Sequence, residues 1–197
     1  CTIADIKAYK PAANSVGSGQ VLQSPYDFEK AKLIVREMTE LLVLDLVDKK
    51  LVTDQMVLTV GYDIENLKDP AIRKAYKGEI TVDQYGRSIP KHAHGTANLD
   101  RETSSTRRIV NAVMELYDRI VDKKLLIRRL NITAAHVVKE DSIEKKETFE
   151  QLDLFTDYST LEKQRKEEEE KLERERKMQQ AMLEIKKKYG KNAILKG

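Results

Sequence analysis

The chain has 197 residues, with 36 Lys and Arg against 33 Asp and Glu for a formal net charge of +3, and charged residues make up 35% of it. That length holds one well-cored domain plus extensions, and near-cancelling charge means that any nucleic-acid face must arise from local placement rather than global balance. The single cysteine excludes an internal disulfide, no Cys/His cluster has zinc spacing, and no run is apolar enough to span a membrane. The expectation is a cytoplasmic protein with no signal peptide, no membrane partner and no small-molecule ligand. The chain starts at Cys1 rather than at a methionine, which reads as an excised piece of a longer protein.

Residues 1–13 read as a linker, with Pro11, small residues and the cations Lys7 and Lys10. A short strand is expected from Gly17 to Leu22. Ser24-Pro25-Tyr26-Asp27 looks like a helix start, with a capping serine and proline at the first helical position. Phe28, Ala31, Val35, Met38, Leu42 and Leu46 recur at helical spacing, and Leu33, Ile34, Leu41 and Leu44 widen that stripe. The helix should end before Val52. Met56 to Tyr62 is rich in β-branched and aromatic residues and reads as a strand.

An insertion, residues 63–91, follows. It carries a short helix signal, with Asp69 as cap, Pro70 at the first turn and Gly78 at the end, and then a hairpin with Tyr85-Gly86 at its tip. His92 to Leu99 reads as a strand. Thr103-Ser104-Ser105 opens a second helix with the stripe Ile109, Val113, Leu116 and Ile120. Leu125 to Val138 reads as a long strand: Leu126, Leu130, Ile132, Ala134 and Val138 are apolar, whereas Arg129, Asn131 and Thr133 are polar. The order β-α-β-β-α-β predicts an α+β domain over residues 14–140. Its antiparallel sheet of about four strands has both helices on one face and leaves the other open.

Residues 141–159 contain Gln151-Leu152-Asp153-Leu154-Phe155, an acidic-apolar peptide. Leu154 and Phe155 are its candidate anchors and Gln151 its polar orienting contact, the pattern of an extended peptide that plugs a groove. The alternative is an amphipathic turn packed on its own domain. Residues 160–197 form a charged tail with Glu162/Lys166, Glu167/Lys171, Glu170/Arg174 and Glu173/Lys177 as i,i+4 pairs. Sustained apolar heptads are missing from its first half, so a solvated helix is expected ahead of a dimerising helix or disorder.

Candidate chemistry is sparse. Two-metal nucleotidyl transfer needs carboxylates that clamp ions about 3.5–4 Å apart. The pairs Asp63/Glu65 and Asp45/Asp48 read instead as solvated surface, so no catalytic residue is assigned. His92 and His94 flank Ala93 with no third ligand evident, so no metal is assigned either. Arg128 and Arg129 are the sharpest candidates for DNA phosphates, with Gln20, Thr59, Asn98, Asn131 and Thr133 as neutral contacts. His94, Gly95 and Thr96 are expected on the open sheet face as donors and a close-approach glycine. Arg101, Arg107 and Arg108 lie at or before the second helix start, and the two on the helix read as surface. No RNA-type aromatic stacking pattern is present.

Three separated stretches converge on one family. Asn14-Ser15-Val16-Gly17-Ser18-Gly19-Gln20-Val21-Leu22 resembles the segment entering the little finger domain of Y-family translesion DNA polymerases, and Leu126-Ile127-Arg128-Arg129-Leu130-Asn131-Ile132 resembles that domain's last strand. Val57 to Asp63 and His94 to Asp100 look like the UmuC-like branch of Gram-positive bacteria. Gln151 to Phe155 resembles the pentapeptide by which bacterial polymerases and repair proteins dock on the sliding clamp, and it lies where these polymerases carry theirs.

The resemblance implies a DNA-binding and clamp-tethering fragment of an error-prone polymerase of the SOS response. Ser15, Gly17 and Ser18 would join the DNA contacts, and the partners would be primed or double-stranded DNA and the clamp. The parent chain would be a Mg2+-dependent nucleotidyltransferase with its catalytic carboxylates upstream; this fragment needs no cofactor. The family usually has lysine where Asn14 stands and glycine where Asn131 stands. The rival reading is a non-enzymatic repair adaptor that binds partners through the charged helix.

Overall fold

The computed structural model describes residues 14–143, 158–190 and 193–194, with side chains from residue 166 onward in the last helix. The main sheet holds β1 (Val16–Tyr26), β2 (Leu51–Tyr62), β5 (Ala93–Thr103) and β6 (Ile127–Ala135) in the order β1-β6-β2-β5, all antiparallel. Two helices, α1 (Phe28–Asp48) and α4 (Thr106–Ile120), cover one face. This is the expected α+β order, with two further small helices and a two-stranded hairpin in the insertion.

The core lies between that face and the helices. Phe28, Ala31, Val35, Met38, Leu42 and Leu46 of α1 meet Ile109, Val113, Leu116 and Tyr117 of α4 over Met56, Leu58, Val60, Leu130 and Ile132. Both helical stripes therefore do what their spacing implies. The buried Tyr117 hydroxyl donates to Phe28 O at 2.8 Å and ties the two helices together. Burial, with Tyr62 as the next influence, pushes that phenol well above the ordinary tyrosine range, so it stays a donor. Leu33 and Leu41, expected to widen the α1 stripe, are instead exposed.

Three boundaries depart from the expectations. Ser24 and Pro25 belong to β1, which runs on past a bulge to pair Tyr26 with Ile127. The cap of α1 is Asp27, whose carboxylate accepts from Lys30 N at 2.9 Å. An edge strand tolerates Pro25, which has no N–H to donate, because position 25 has no ladder partner. Strand β2 begins at Leu51 rather than Met56, directly after Lys50 turns the chain with φ 53°.

The predicted strand from Leu125 to Val138 is interrupted at both ends. The register between β2 and β6 slips between Gly61 and Tyr62, so Ile127 faces the core and Leu126 does not. At the other end His136 takes φ 51°, which buries Val137 and leaves Val138 exposed before β7 (Val138–Lys139) resumes pairing with β2. The Thr53 hydroxyl patches the break, donating to Ala135 O at 2.5 Å and accepting from Gln55 N at 3.2 Å.

The insertion folds as α2 (Glu65–Lys68), α3 (Pro70–Ala75) and the hairpin β3 (Ile80–Val82) and β4 (Ser88–Pro90). Asp69 caps α3 as expected, accepting from Ala71 N at 2.8 Å, and Gly86 sits at the hairpin tip with φ 75°. Asn66, fully buried, roots the insertion. Its amide donates to Asp63 O and to Leu126 O, each at 2.8 Å, and its side-chain carbonyl accepts from Leu126 N at 2.7 Å. A cavity of about 760 Å³ separates the insertion from Tyr62, Ile120 and Leu125.

The last helix, α5 (Tyr158–Tyr189), is not the free solvated rod that its charge pattern suggests. One of its predicted ion pairs, Glu173–Lys177, closes at 2.8 Å on its surface. Its other side docks on the domain. Gln179 is buried and donates to Ser104 O at 3.0 Å and Thr106 Oγ1 at 2.9 Å, and Arg176 pairs with Glu140 at 2.6 Å. Lys187 pairs with Asp48.

Candidate nucleic-acid interface

Directly opposed residues of an antiparallel ladder share a face, so the registers define the uncovered side of the sheet row by row. One row runs Gly17, Thr133, Val57, Thr96 across β1, β6, β2 and β5. The next runs Gly19, Asn131, Thr59, His94. A third holds Val21, Arg129 and Gly61, and a fourth Ala135, Gln55 and Asn98. Among the described residues no helix packs over these rows. The surface is mostly hydroxyls, amides and small residues, with Val21, Val57 and His94 among them and Arg129 standing exposed near one end.

Two side-chain bonds order it. Thr59 Oγ1 lies 2.9 Å from His94 Nδ1, and Gln55 Nε2 donates to Asn98 Oδ1 at 2.9 Å. The glycines keep the first strand low. A Cβ on Gly17 would stand 2.9 Å from Thr133 Oγ1, and one on Gly61 would stand 3.2 Å from Arg129 Cβ. With those side chains absent, a large ligand can approach the backbone of β1 and β2 closely.

Of the expected DNA contacts, Gly17, Thr59, His94, Thr96, Asn98, Arg129 and Asn131 share this face. Ser15 is exposed just before β1. Ser18 and Gln20 pair with Ile132 and Leu130 and so lie on the helix side of the edge strand. Gly95 also belongs to the helix side. It pairs with Leu58, and a Cβ there would stand 2.9 Å from Leu116 Cδ1 and 3.1 Å from Ile120 Cγ2. Its role is to let α4 sit close on β5, not to admit DNA. Three consecutive strand residues cannot all face one way, which is why His94, Gly95 and Thr96 divide. Gly19 and Gly61 were not singled out by sequence reasoning; the parity of Gly17 and Thr59 would have found them.

Arg128, at the register slip, has an internal partner. Its Nε lies 3.7 Å from Asp63 Oδ2. Asp63 is buried rather than solvated, and its Oδ1 accepts from Glu65 N at 2.8 Å. Asp45 is held by Lys49 at 2.7 Å. Asp63, Asp45 and Asp48 thus each already have a partner within the chain, whereas Glu65 is exposed. His92 and His94 stand edge to face with ring centroids 6.4 Å apart. The peptide Gln151 to Phe155 lies outside the described residues.

No curated protein matches the chain. Among solved structures it is similar to an insertion ternary complex of Dbh DNA polymerase, at 10% identity and a TM-score of 0.42, over 69% of this chain and 33% of that one. It is also similar to a complex of beta-clamp processivity factor and little finger domain of PolIV, at 10% identity and a TM-score of 0.40, over 73% of this chain and 100% of that one. The chain thus spans about a third of the length of the Dbh polymerase it resembles. Residues 13–154, most of the sequence and the whole of the sheet with its two covering helices, match the impB/mucB/samB family C-terminal domain. The chain accordingly belongs to the impB/mucB/samB family, as its C-terminal domain.

Proposed function

We propose that this chain is the DNA-gripping and clamp-tethering part of an error-prone translesion DNA polymerase that acts in the SOS response to DNA damage. The observation that carries the reading is the uncovered sheet face, four rows of small, hydroxyl and amide side chains with Arg129 among them, in a domain of this family. Such a surface suits sequence-independent contact with phosphates and sugars. Polymerisation itself belongs to residues outside this chain, and the metal ions it needs would be held there.

Electrophoretic mobility titrations at several salt concentrations test the DNA contact. Arg129→Ala weakens binding to unrelated duplexes alike and flattens the salt slope by about one unit. Unchanged binding and slope would remove the open face from the reading.

Gln151 to Phe155 supports the second half of the proposal. Leu154 and Phe155 would fill an apolar groove of a bacterial sliding clamp, raising the polymerase's local concentration at a primer end through the tether. Calorimetric titration of the chain against the clamp tests it. Replacing either anchor with alanine costs about 2 kcal/mol, roughly thirtyfold in affinity. A double variant that binds as tightly as the parent chain leaves the peptide as an intramolecular packing element.

A further inference from the structure

The insertion does not close onto the domain. The cavity of about 760 Å³ lies between α3 and the ends of β2 and α4. Its floor is apolar, made by Tyr62, Ile72, Ile120 and Leu125. Tyr76 forms one wall. Its hydroxyl donates to Glu79 O at 3.1 Å, and its ring lies so close over Gly78 that a side chain there would run into it. That wall is set before anything binds, which lowers the ordering cost of a ligand.

One polar group on the floor is only half used. The Tyr62 hydroxyl accepts from Asp122 N at 2.9 Å, and its own proton meets no acceptor among the described residues. Burial raises that phenol above the ordinary tyrosine range, so it keeps the proton to donate. Cations stand round the opening. Glu79 is taken by Lys91 at 2.6 Å, and the Asp122 carboxylate accepts from Lys124 N at 2.9 Å. The ammoniums of Lys77 and Lys124, both exposed, meet no carboxylate among the described residues. The strand that leaves the cavity after Glu79 carries apolar surface outward. Ile80 and Val82 of β3 are 47% and 67% exposed, and β3 pairs only with β4 among the described residues.

We propose that this cavity is a docking site for an acidic peptide of a protein partner, with one bulky apolar side chain on the floor and carboxylates on Lys77 and Lys124. The Tyr62 hydroxyl donates to a carbonyl of that peptide. Charge decides the sign of the partner, since the carboxylates at the opening already have internal partners and these two ammoniums do not. Apolar area decides its class. Phosphates would suit the two lysines, but a sugar–phosphate backbone leaves the aliphatic floor and the Ile80 and Val82 surface uncovered, whereas an extended peptide places alternate side chains on such a surface. The cavity is on the helix side of the sheet, where Ile120 ends α4, so it and the open rows can be occupied together. The inference does not rest on the DNA-binding reading.

The test uses the full chain as bait for random short peptides displayed on phage. The enriched peptides carry carboxylates around an aromatic or large aliphatic residue. Fluorescence anisotropy with the most enriched peptide then reads affinity. Lys77→Glu with Lys124→Glu lowers it about tenfold, and Tyr76→Ala lowers it by a similar factor. Arg129→Ala leaves it unchanged. Because both lysines are exposed, the charge reversal leaves the thermal midpoint in place, and the loss reports contact rather than folding. The proposal is overturned by a failure to enrich, by enriched peptides without carboxylates, or by an affinity unchanged in the charge-reversed chain. A short oligothymidylate that displaces the peptide, and binds the parent chain but not the charge-reversed one, would also overturn it, in favour of a single-stranded nucleic acid.

Discussion

Neighbouring residues of β2 live in different surroundings. Met56, Leu58 and Val60 are at most 1% exposed, locked between the sheet and its helices. Gln55, Val57, Thr59 and Gly61, each one position away, line an uncovered surface. The first set determines whether the domain folds, and the second determines what the folded domain touches. Because the side-chain period of a strand is two, the same ladder serves both without compromise.

That division can be broken or sharpened by substitution. Leu130→Ala, on the helix side of β6, carries the largest effect, about 3 kcal/mol of stability in urea unfolding, from lost transfer energy and the cavity left behind. Asn66→Ala costs about 2 kcal/mol in the same measurement, because it leaves Leu126 N without its acceptor, while Leu126 O and Asp63 O keep their backbone partners Asp63 N and Asn66 N. Gly95→Ala costs about 1 kcal/mol, since the added methyl meets Leu116 and Ile120, and leaves duplex affinity unchanged. Thr59→Ala, across from His94, stays within about 0.5 kcal/mol in stability and alters only DNA binding. If Gly95→Ala lowered DNA affinity while Thr59→Ala lowered stability, the assignment of the two faces would be reversed.

The helical stripes were legible because burial repeats with the helix period over several turns in Phe28 to Leu46 and in Ile109 to Leu116. The strands were legible in kind but not in phase. A single-residue slip between Gly61 and Tyr62 exchanges Leu126 for Ile127, and the left-handed turn at His136 exchanges Val138 for Val137. Neither event has a strong signature in the local sequence. Gly95 was misassigned because a glycine permits close approach from either side, and only pairing shows which. The docking of α5 was invisible because its contacts are charges and amides. A helix that binds through Glu175 and Gln179 has the same pattern as one that faces water all round.

Asn66 gives the insertion a clean point of attachment. The insertion leaves the sheet at Tyr62 and returns before Ala93, and at its root the Asn66 amide works beside the backbone bond from Asp63 N to Leu126 O. Ile72 and Tyr76 beyond Asn66 pack against the edge of the core, so length changes are tolerated at the hairpin tip around Gly86, where the entropic cost of added length grows only logarithmically.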